Sequence, residues 1–177
     1  MGEDDIVLAD TGAIKMWRAR PYLTCRPSAC PIPNGLSTMS FALPGAPGAR
    51  MANPDRKILA ANIDDNSFLM NSQEPETAIR EKLHFVALLR VDQNYGLIKW
   101  SMETKRGQAV DVHFNNPDFL KHAKNFGARG KLVGKANDPV SLLNKTFCYE
   151  GIPLIACPVD YPVNIQLSAT LETAKSS

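Results

Sequence analysis

Three carboxylates lie at the ends of two apolar runs. Asp64 and Asp65 follow one run in the stretch IDDNSF, and Asp92 follows the next run in RVDQNYG. Asp65 and Asp92 are 27 residues apart. Mg²⁺ in proteins is commonly bound by one or two carboxylates together with phosphate oxygens, so these residues predict a site for a metal ion, or for a phosphate group with its metal. The alternative is that they only cap helices and form turns.

Five short apolar runs alternate with helical stretches along the chain, which indicates strand–helix–strand units. The runs are DIVLAD, KILAANI, HFVALLRV, KLVGKA and IPLIACPV. Because they are apolar nearly throughout, they are typical of strands that helices cover on both faces. We therefore expect an α/β fold, a three-layer sandwich with a central, mostly parallel sheet. A single strand–helix–strand crossover between Asp65 and Asp92 would bring both carboxylates to the edge where such sheets bind ligands.

Proline and glycine positions indicate where three helices begin and end. In the first, Asn116 is the expected cap and Gly127 the expected end. In the second, Asp138 and Gly151 have the same roles. The small residues of GLSTMSFALPGAPGA predict a third, tightly packed helix that can approach another helix or a ligand closely.

Composition favours one ordinary globular domain, which we expect over residues 1–165 with a tail at 166–177. The chain has 177 residues, 44% of them hydrophobic, and a formal net charge of +2. No apolar run approaches the ~20 residues of a membrane span, and Lys and Arg are scattered, so neither a membrane nor a nucleic acid is an expected partner. We expect a cytoplasmic protein whose four cysteines are reduced, buried thiols and not zinc ligands.

Several blocks of the sequence occur together in one order and spacing. They are NGLSTMSFALPGAPGA, FLMNSQEPETAIR, YGLIKW, NPDFLKHAKNFGA and CPVDY. In that order they resemble the C-terminal, cofactor-binding domain of acetolactate synthases, which are thiamine diphosphate-dependent enzymes. The resemblance runs from DTGAIKMW to Tyr161, nearly the whole chain, and several blocks in register are far more specific than one motif.

The resemblance implies a role for a set of residues. The family's metal motif is Gly-Asp-Gly at a strand end, followed about 25 to 30 residues later by Asn or Asp. By this match Asp65 and Asp92 would bind Mg²⁺ through their carboxylates, and Asn94 through its backbone carbonyl. Met39 would be the bulky side chain that imposes the bent conformation of the cofactor. The residues expected along thiamine diphosphate are Asn34, Gly35, Thr38, Met39, Asp64, Asn66, Ser67, Asn94 and Tyr95.

The chain departs from the family pattern within this motif. Asp64, Asn66 and Ser67 stand where the family has glycines, which admit unusual backbone angles and a close approach to the diphosphate. Asp64 also adds a negative charge beside the negatively charged diphosphate. The repulsion between two such charges is about 4 kcal/mol at ~4 Å and an effective dielectric constant of about 20. Other departures are Pro47 and Pro75, at expected helical positions, and Ile14 in place of a histidine.

Enzymes of this type build the active site between this domain and a pyrimidine-binding domain that supplies a glutamate. We expect that domain on another chain, in a homo- or hetero-oligomer, and no activity from this chain alone. The completed enzyme would decarboxylate pyruvate and transfer the two-carbon unit to a 2-oxo acid, as in branched-chain amino acid biosynthesis. This function predicts an apolar, self-associating surface around residues 35–50.

Two other functions are open. The chain is either a degenerate copy that no longer binds the cofactor, or the small subunit of a two-chain 2-oxo acid decarboxylase. A degenerate copy predicts no stabilisation by Mg²⁺.

Overall fold

The computed structural model describes residues 2–12, 24–135 and 138–159. The strands are β1 (Ile6–Ala9), β2 (Ile58–Asp64), β3 (Val86–Val91), β4 (Arg129–Leu132) and β5 (Pro153–Pro158). The helices are α1 (Ala42–Ala52), α2 (Asp65–Met70), α3 (Glu74–Arg80), α4 (Gly96–Arg106), α5 (Phe119–Asn125) and α6 (Asp138–Thr146). Ile14, Tyr161, the expected domain boundary at 165 and the expected tail lie outside the described residues.

The strands form one parallel sheet in the order β1-β2-β3-β5-β4. Each predicted apolar run overlaps one of these strands, so the predicted α/β fold with a parallel sheet is confirmed. The least accurate prediction concerns β4, which begins at Arg129, before the run KLVGKA, and ends at Leu132. Position 130 is a glycine because α5 packs directly over it, with Leu120 Cα only 2.8 Å from where a Cβ would lie.

Helices cover both faces of the sheet, which makes three layers. The first face packs against α1, α2, α3 and α5, and the second face packs against α6 through Leu142 and Leu143. Strand side chains on the first face are Ile6, Leu8, Ile58, Ala60, Ile63, Ala87, Leu89 and Leu154. Those on the second face are Val7, Leu59, Ala61, Val86 and Ile155. Alternation along each strand produces this division.

A register shift in β2 interrupts the alternation between Ala60 and Ile63. Both of these residues belong to the first face, although regular alternation would place them on opposite faces. The shift therefore turns the next residue, Asp64, to the second face. There it is the register partner of Arg90 on β3.

The expected cap of α5 is wrong by two residues. Asp118, not Asn116, is the N-cap, and its carboxylate accepts hydrogen bonds from the N–H groups of Leu120 at 3.1 Å and Lys121 at 3.0 Å. Asn116 instead donates to Asp65. The expected end is confirmed, since Gly127 has the left-handed φ of +78° that suits a residue after a helix.

The other helix predictions are right in place and wrong in extent. The helix expected from the small-residue stretch begins only at Ala42, and α6 ends at Thr146, before Gly151. Pro75 lies in the first turn of α3, where its missing N–H costs nothing. Pro47 is inside α1 and buried, so α1 lacks one hydrogen bond of its ladder. No helix in the described ranges is long and apolar enough to cross a membrane.

Candidate metal and phosphate site

Asp65 joins the loops that follow β2 and β3. Its side chain is fully buried. Oδ2 accepts hydrogen bonds from the N–H of Asp92 at 3.2 Å, the N–H of Gln93 at 2.8 Å and the side-chain amide of Asn116 at 2.6 Å. Oδ1 accepts the N–H of Asn66 at 3.0 Å. The structure therefore brings Asp65 and Asp92 together at the carboxyl edge of the sheet, as their spacing predicts.

The loop after β3 is fixed by its own side chains. Asp92 Oδ1 accepts the N–H of Asn94 at 3.1 Å, and the Asn94 side-chain amide donates to the Asp92 carbonyl. Gln93 between them has a left-handed φ of +57°, and Asn94 forms an isolated bridge with His113. Burial raises the pKa of Asp92, and the nearby Asp65 carboxylate raises it further.

Asp64 is held against Arg90. Its Oδ1 accepts a hydrogen bond from the Arg90 guanidinium, and the two side chains are 20% and 6% exposed. Gly12, at a φ of +129°, lies on the other side, where an added Cβ would be 2.7 Å from Asp64 Oδ2. Burial raises the pKa of Asp64 to about 7, which Arg90 opposes and neighbouring carboxylates reinforce.

The glycine replacements cause no backbone strain. Asp64 has φ −75° and ψ 154°, ordinary extended values, and neither Asn66 nor Ser67 has a positive φ. In this chain, therefore, none of the three positions has a backbone angle that requires glycine. The replacements instead change which backbone amides are free to bind a ligand. Asn66 Oδ1 accepts the N–H of Ser67 at 2.7 Å. An amide that glycine would leave open is already bonded.

The remaining predicted cofactor residues lie on two loops. Asn34, Gly35 and Thr38 are exposed ahead of α1, and Met39 is half-buried. This loop meets the end of α2 through the next residue, Ser40, whose hydroxyl accepts the side-chain amide of the C-cap residue Asn71 at 2.9 Å. Tyr95 precedes α4, and its ring centroid is 5.2 Å from that of Phe114. Their roles toward a cofactor stay predictions.

Sequence reasoning missed three polar residues of this site. Asp10 follows β1, is fully buried and caps α1, since Oδ1 accepts the N–H groups of Phe41 at 2.5 Å and Ala42 at 2.9 Å. Arg90 and Asn116 are the others. Asp10 and Arg90 could have been found in the sequence, because each is a charged residue near the end of an otherwise apolar run. Asn116 was predicted to cap a helix, and its sequence context does not indicate a contact with Asp65.

Carboxylates outnumber cations around this edge. Asp10, Asp64, Asp65 and Asp92 lie near Arg90, and burial raises the pKa values of Asp10, Asp64 and Asp92. Such a cluster repels itself, and a divalent cation would relieve the repulsion. Among the described residues, no three His, Cys, Asp or Glu side chains converge closely enough to hold a metal ion by themselves. A metal here would need other oxygen ligands as well.

The histidines and cysteines contribute no second candidate site. His84 Nδ1 is 2.5 Å from the Gly151 carbonyl oxygen, and His122 Nε2 is 3.2 Å from that of Ser72. His122 also packs edge-on against the Phe68 ring, with the ring centroids 5.6 Å apart. The four cysteines are unpaired thiols, but Cys25 and Cys148 are exposed and Cys30 and Cys157 are half-buried, so the expectation that they are buried is wrong.

Comparison with known proteins identifies relatives for nearly the whole chain. A family model described as "Thiamine pyrophosphate enzyme, C-terminal TPP binding domain" matches residues 10–157. The acetolactate synthase of Bacillus subtilis (strain 168) is 32% identical over 163 residues, which cover 92% of this chain and 28% of that protein. The catabolic acetolactate synthase of Raoultella terrigena is 32% identical over 175 residues, covering 99% and 31%.

A third relative is the large subunit of acetolactate synthase isozyme 1 from Escherichia coli (strain K12). It is 32% identical over 160 residues, which cover 89% of this chain and 28% of that protein. The chain thus spans less than a third of the length of these relatives. Since the family model extends from Asp10 to Cys157 and includes the whole carboxylate cluster, this chain belongs to the C-terminal TPP-binding domain family of thiamine pyrophosphate enzymes, with acetolactate synthases as its relatives.

Proposed function

We propose that this chain binds Mg²⁺ and the diphosphate of thiamine diphosphate at the carboxyl edge of its sheet. One observation carries the proposal. The buried Asp65 carboxylate is held by two N–H groups of the loop that contains Asp92, so two adjacent strands present carboxylates at one edge. Membership of the TPP-binding family supplies the ligand that such an edge would take.

The oxygen atoms present fit Mg²⁺. Asp65 Oδ2 accepts three hydrogen bonds and Oδ1 accepts one, so Oδ1 keeps a lone pair for a metal ion. The Asp92 carboxylate and the Asn94 carbonyl would supply the other protein ligands, and phosphate oxygens and water would complete the shell. The positive ion would also favour the ionised form of the buried carboxylates and so oppose the burial that raises their pKa values.

The other predicted residues would orient the cofactor. Asn66, Ser67 and Tyr95 border the loops of the metal site, while Met39 and its neighbours Asn34, Gly35 and Thr38 would lie along the thiazolium part. Thiamine diphosphate, when bound, supplies carbanion chemistry. The residues of this chain bind and orient it, and the half-buried Met39 would exclude water from one side.

A partner is needed for catalysis in this proposal. The chain spans under a third of its relatives' length, and a pyrimidine-binding domain on another chain, in a homo- or hetero-oligomer, would complete an acetolactate synthase-like site. Leu36, which is 99% exposed within the expected apolar surface, supports such a contact. The reaction would be decarboxylation of pyruvate and transfer of the two-carbon unit to a 2-oxo acid. A cytoplasmic location remains a prediction.

One observation favours a second function, a non-catalytic copy. The N–H of Ser67 is bonded to Asn66, so the loop satisfies an amide group that glycine would leave open. A ligand would have to displace this bond. The third function, the small subunit of a two-chain decarboxylase, has no observation of its own in support.

Thermal unfolding with Mg²⁺ and thiamine diphosphate, each alone and both together, tests the proposal. A ligand at 100 times its dissociation constant stabilises a fold by about 2.7 kcal/mol, so we expect a clear rise in Tm with both together. Asp92→Ala should abolish the rise, and the exposed Asp55→Ala should retain it. An unchanged Tm, or an equal rise in Asp92→Ala, would contradict the proposed site.

A further inference from the structure

Arg90 is a buried charge in an otherwise apolar strand. It is 5% exposed and lies in VALLRV, the sequence of β3. Its neighbours in the strand, Leu89 and Val91, pack on the first face of the sheet. Alternation places Arg90 on the second face, between its register partners Asp64 on β2 and Cys157 on β5.

The Asp64 carboxylate is enclosed on that same face. The register shift in β2 puts Ile63 on the first face, so Asp64 points to the second and meets Arg90 directly. Gly12 closes the other side, because a Cβ there would lie 2.7 Å from Asp64 Oδ2. The carboxylate thus lies between Arg90 of β3 and Gly12 in the loop after β1.

The direction of this side chain matters for the neighbouring loop. Asp64 is adjacent to Asp65, and a free carboxylate at this position would repel the diphosphate of a cofactor. Burying one charge without its partner is strongly unfavourable, whereas a hydrogen-bonded pair satisfies both groups. The register shift in β2 turns the extra charge to the second face of the sheet, and the arginine in β3 pairs with it there.

We infer that Arg90 is a positioning residue for the proposed site: it holds the Asp64 carboxylate on the second face of the sheet and so allows an acidic residue where the family has glycine. The inference rests on the proposed function. It assigns to Arg90 no contact with metal or cofactor, and its effect is transmitted only through Asp64.

A double-mutant cycle without ligand tests the pair. At pH 8 we expect Arg90→Met to lower Tm by on the order of 10 °C, because Asp64 is left buried without its cation. Asp64→Asn combined with Arg90→Met should recover at least half of that loss. The exposed pair Arg26 and Asp4 is the control, and its cycle should move Tm by less than about 2 °C. Additive losses at Arg90 and Asp64 would overturn the pairing.

A ligand titration separates positioning from mere stability. We expect Arg90→Met to weaken binding of thiamine diphosphate with Mg²⁺ at least tenfold, and Arg90→Met with Asp64→Gly to return within about threefold of wild type. Arg90→Lys should lose less than Arg90→Met. Unchanged affinity in Arg90→Met, or no recovery in the double variant, would overturn the inference while the proposed function stands. If the wild-type chain does not bind, the proposed function fails, and the role of Arg90 fails with it.

Discussion

At the scale of single residues, Asp65 has the most concentrated set of interactions in the site. One buried carboxylate accepts hydrogen bonds from four groups on three segments of chain. Its sequence context reveals only that it follows a strand. The partners at Gln93 and Asn116 are 28 and 51 residues away, so they depend on the fold and not on a local pattern.

Replacing one oxygen of this carboxylate should be costly. In Asp65→Asn an amide group would face N–H donors, and we expect a loss on the order of 3 kcal/mol in the free energy of unfolding. Urea denaturation of the ligand-free chain measures it. The exposed Asp55→Asn should change little, and an equally small change in Asp65→Asn would contradict the hydrogen-bonding role described for Asp65.

The buried carboxylates also predict a pH dependence. Burial raises the pKa of Asp64 to about 7 and raises those of Asp10 and Asp92, so the folded chain binds more protons than the unfolded chain between about pH 4 and 7. Stability should therefore fall as pH rises through this range. Asp64→Asn should flatten the fall measured by urea denaturation. A rise in stability from pH 4 to 7 would show that these groups are not buried as described.

At the scale of elements, the sequence predicted which strands and helices exist better than it predicted where they begin and end. The five apolar runs are strands because their composition suits burial on both faces. The shift in β2 leaves no trace in the apolar run KILAANI, yet it decides that Asp64 meets Arg90. The cap of α5 was misplaced because Asn116 and Asp118 both suit that role, and contacts with Asp65 decide between them.

Two glycine substitutions test the packing of α5 on β4. In Gly130→Ala the added Cβ would be 2.8 Å from Leu120 Cα, so we expect a loss of about 1–3 kcal/mol. Gly48→Ala, inside α1 and facing open space, should stabilise by about 0.5–1 kcal/mol. Denaturation midpoints of both variants measure the difference. A neutral Gly130→Ala would contradict the close approach of α5.

At the scale of the whole molecule, a parallel sheet gathers residues that are far apart in sequence. Asp10, Asp65 and Asp92 follow three adjacent strands, β1, β2 and β3, and therefore meet at one edge. The spacing of Asp65 and Asp92 predicted their meeting. The sequence alone could not reveal whether the Ser67 N–H is open to a ligand. That N–H is bonded to the Asn66 side chain, and this bond is visible only in the structure.

The most direct measurement is a calorimetric titration of thiamine diphosphate into the chain, with and without Mg²⁺. We predict binding only with Mg²⁺, and binding several-fold tighter in Asn66→Gly, because that variant frees the Ser67 N–H. Asn125→Gly, at the end of α5, is the matched control and should bind as wild type does. No binding by the wild-type chain would contradict the proposed site, and binding by Asn66→Gly alone would identify a copy that has lost its cofactor.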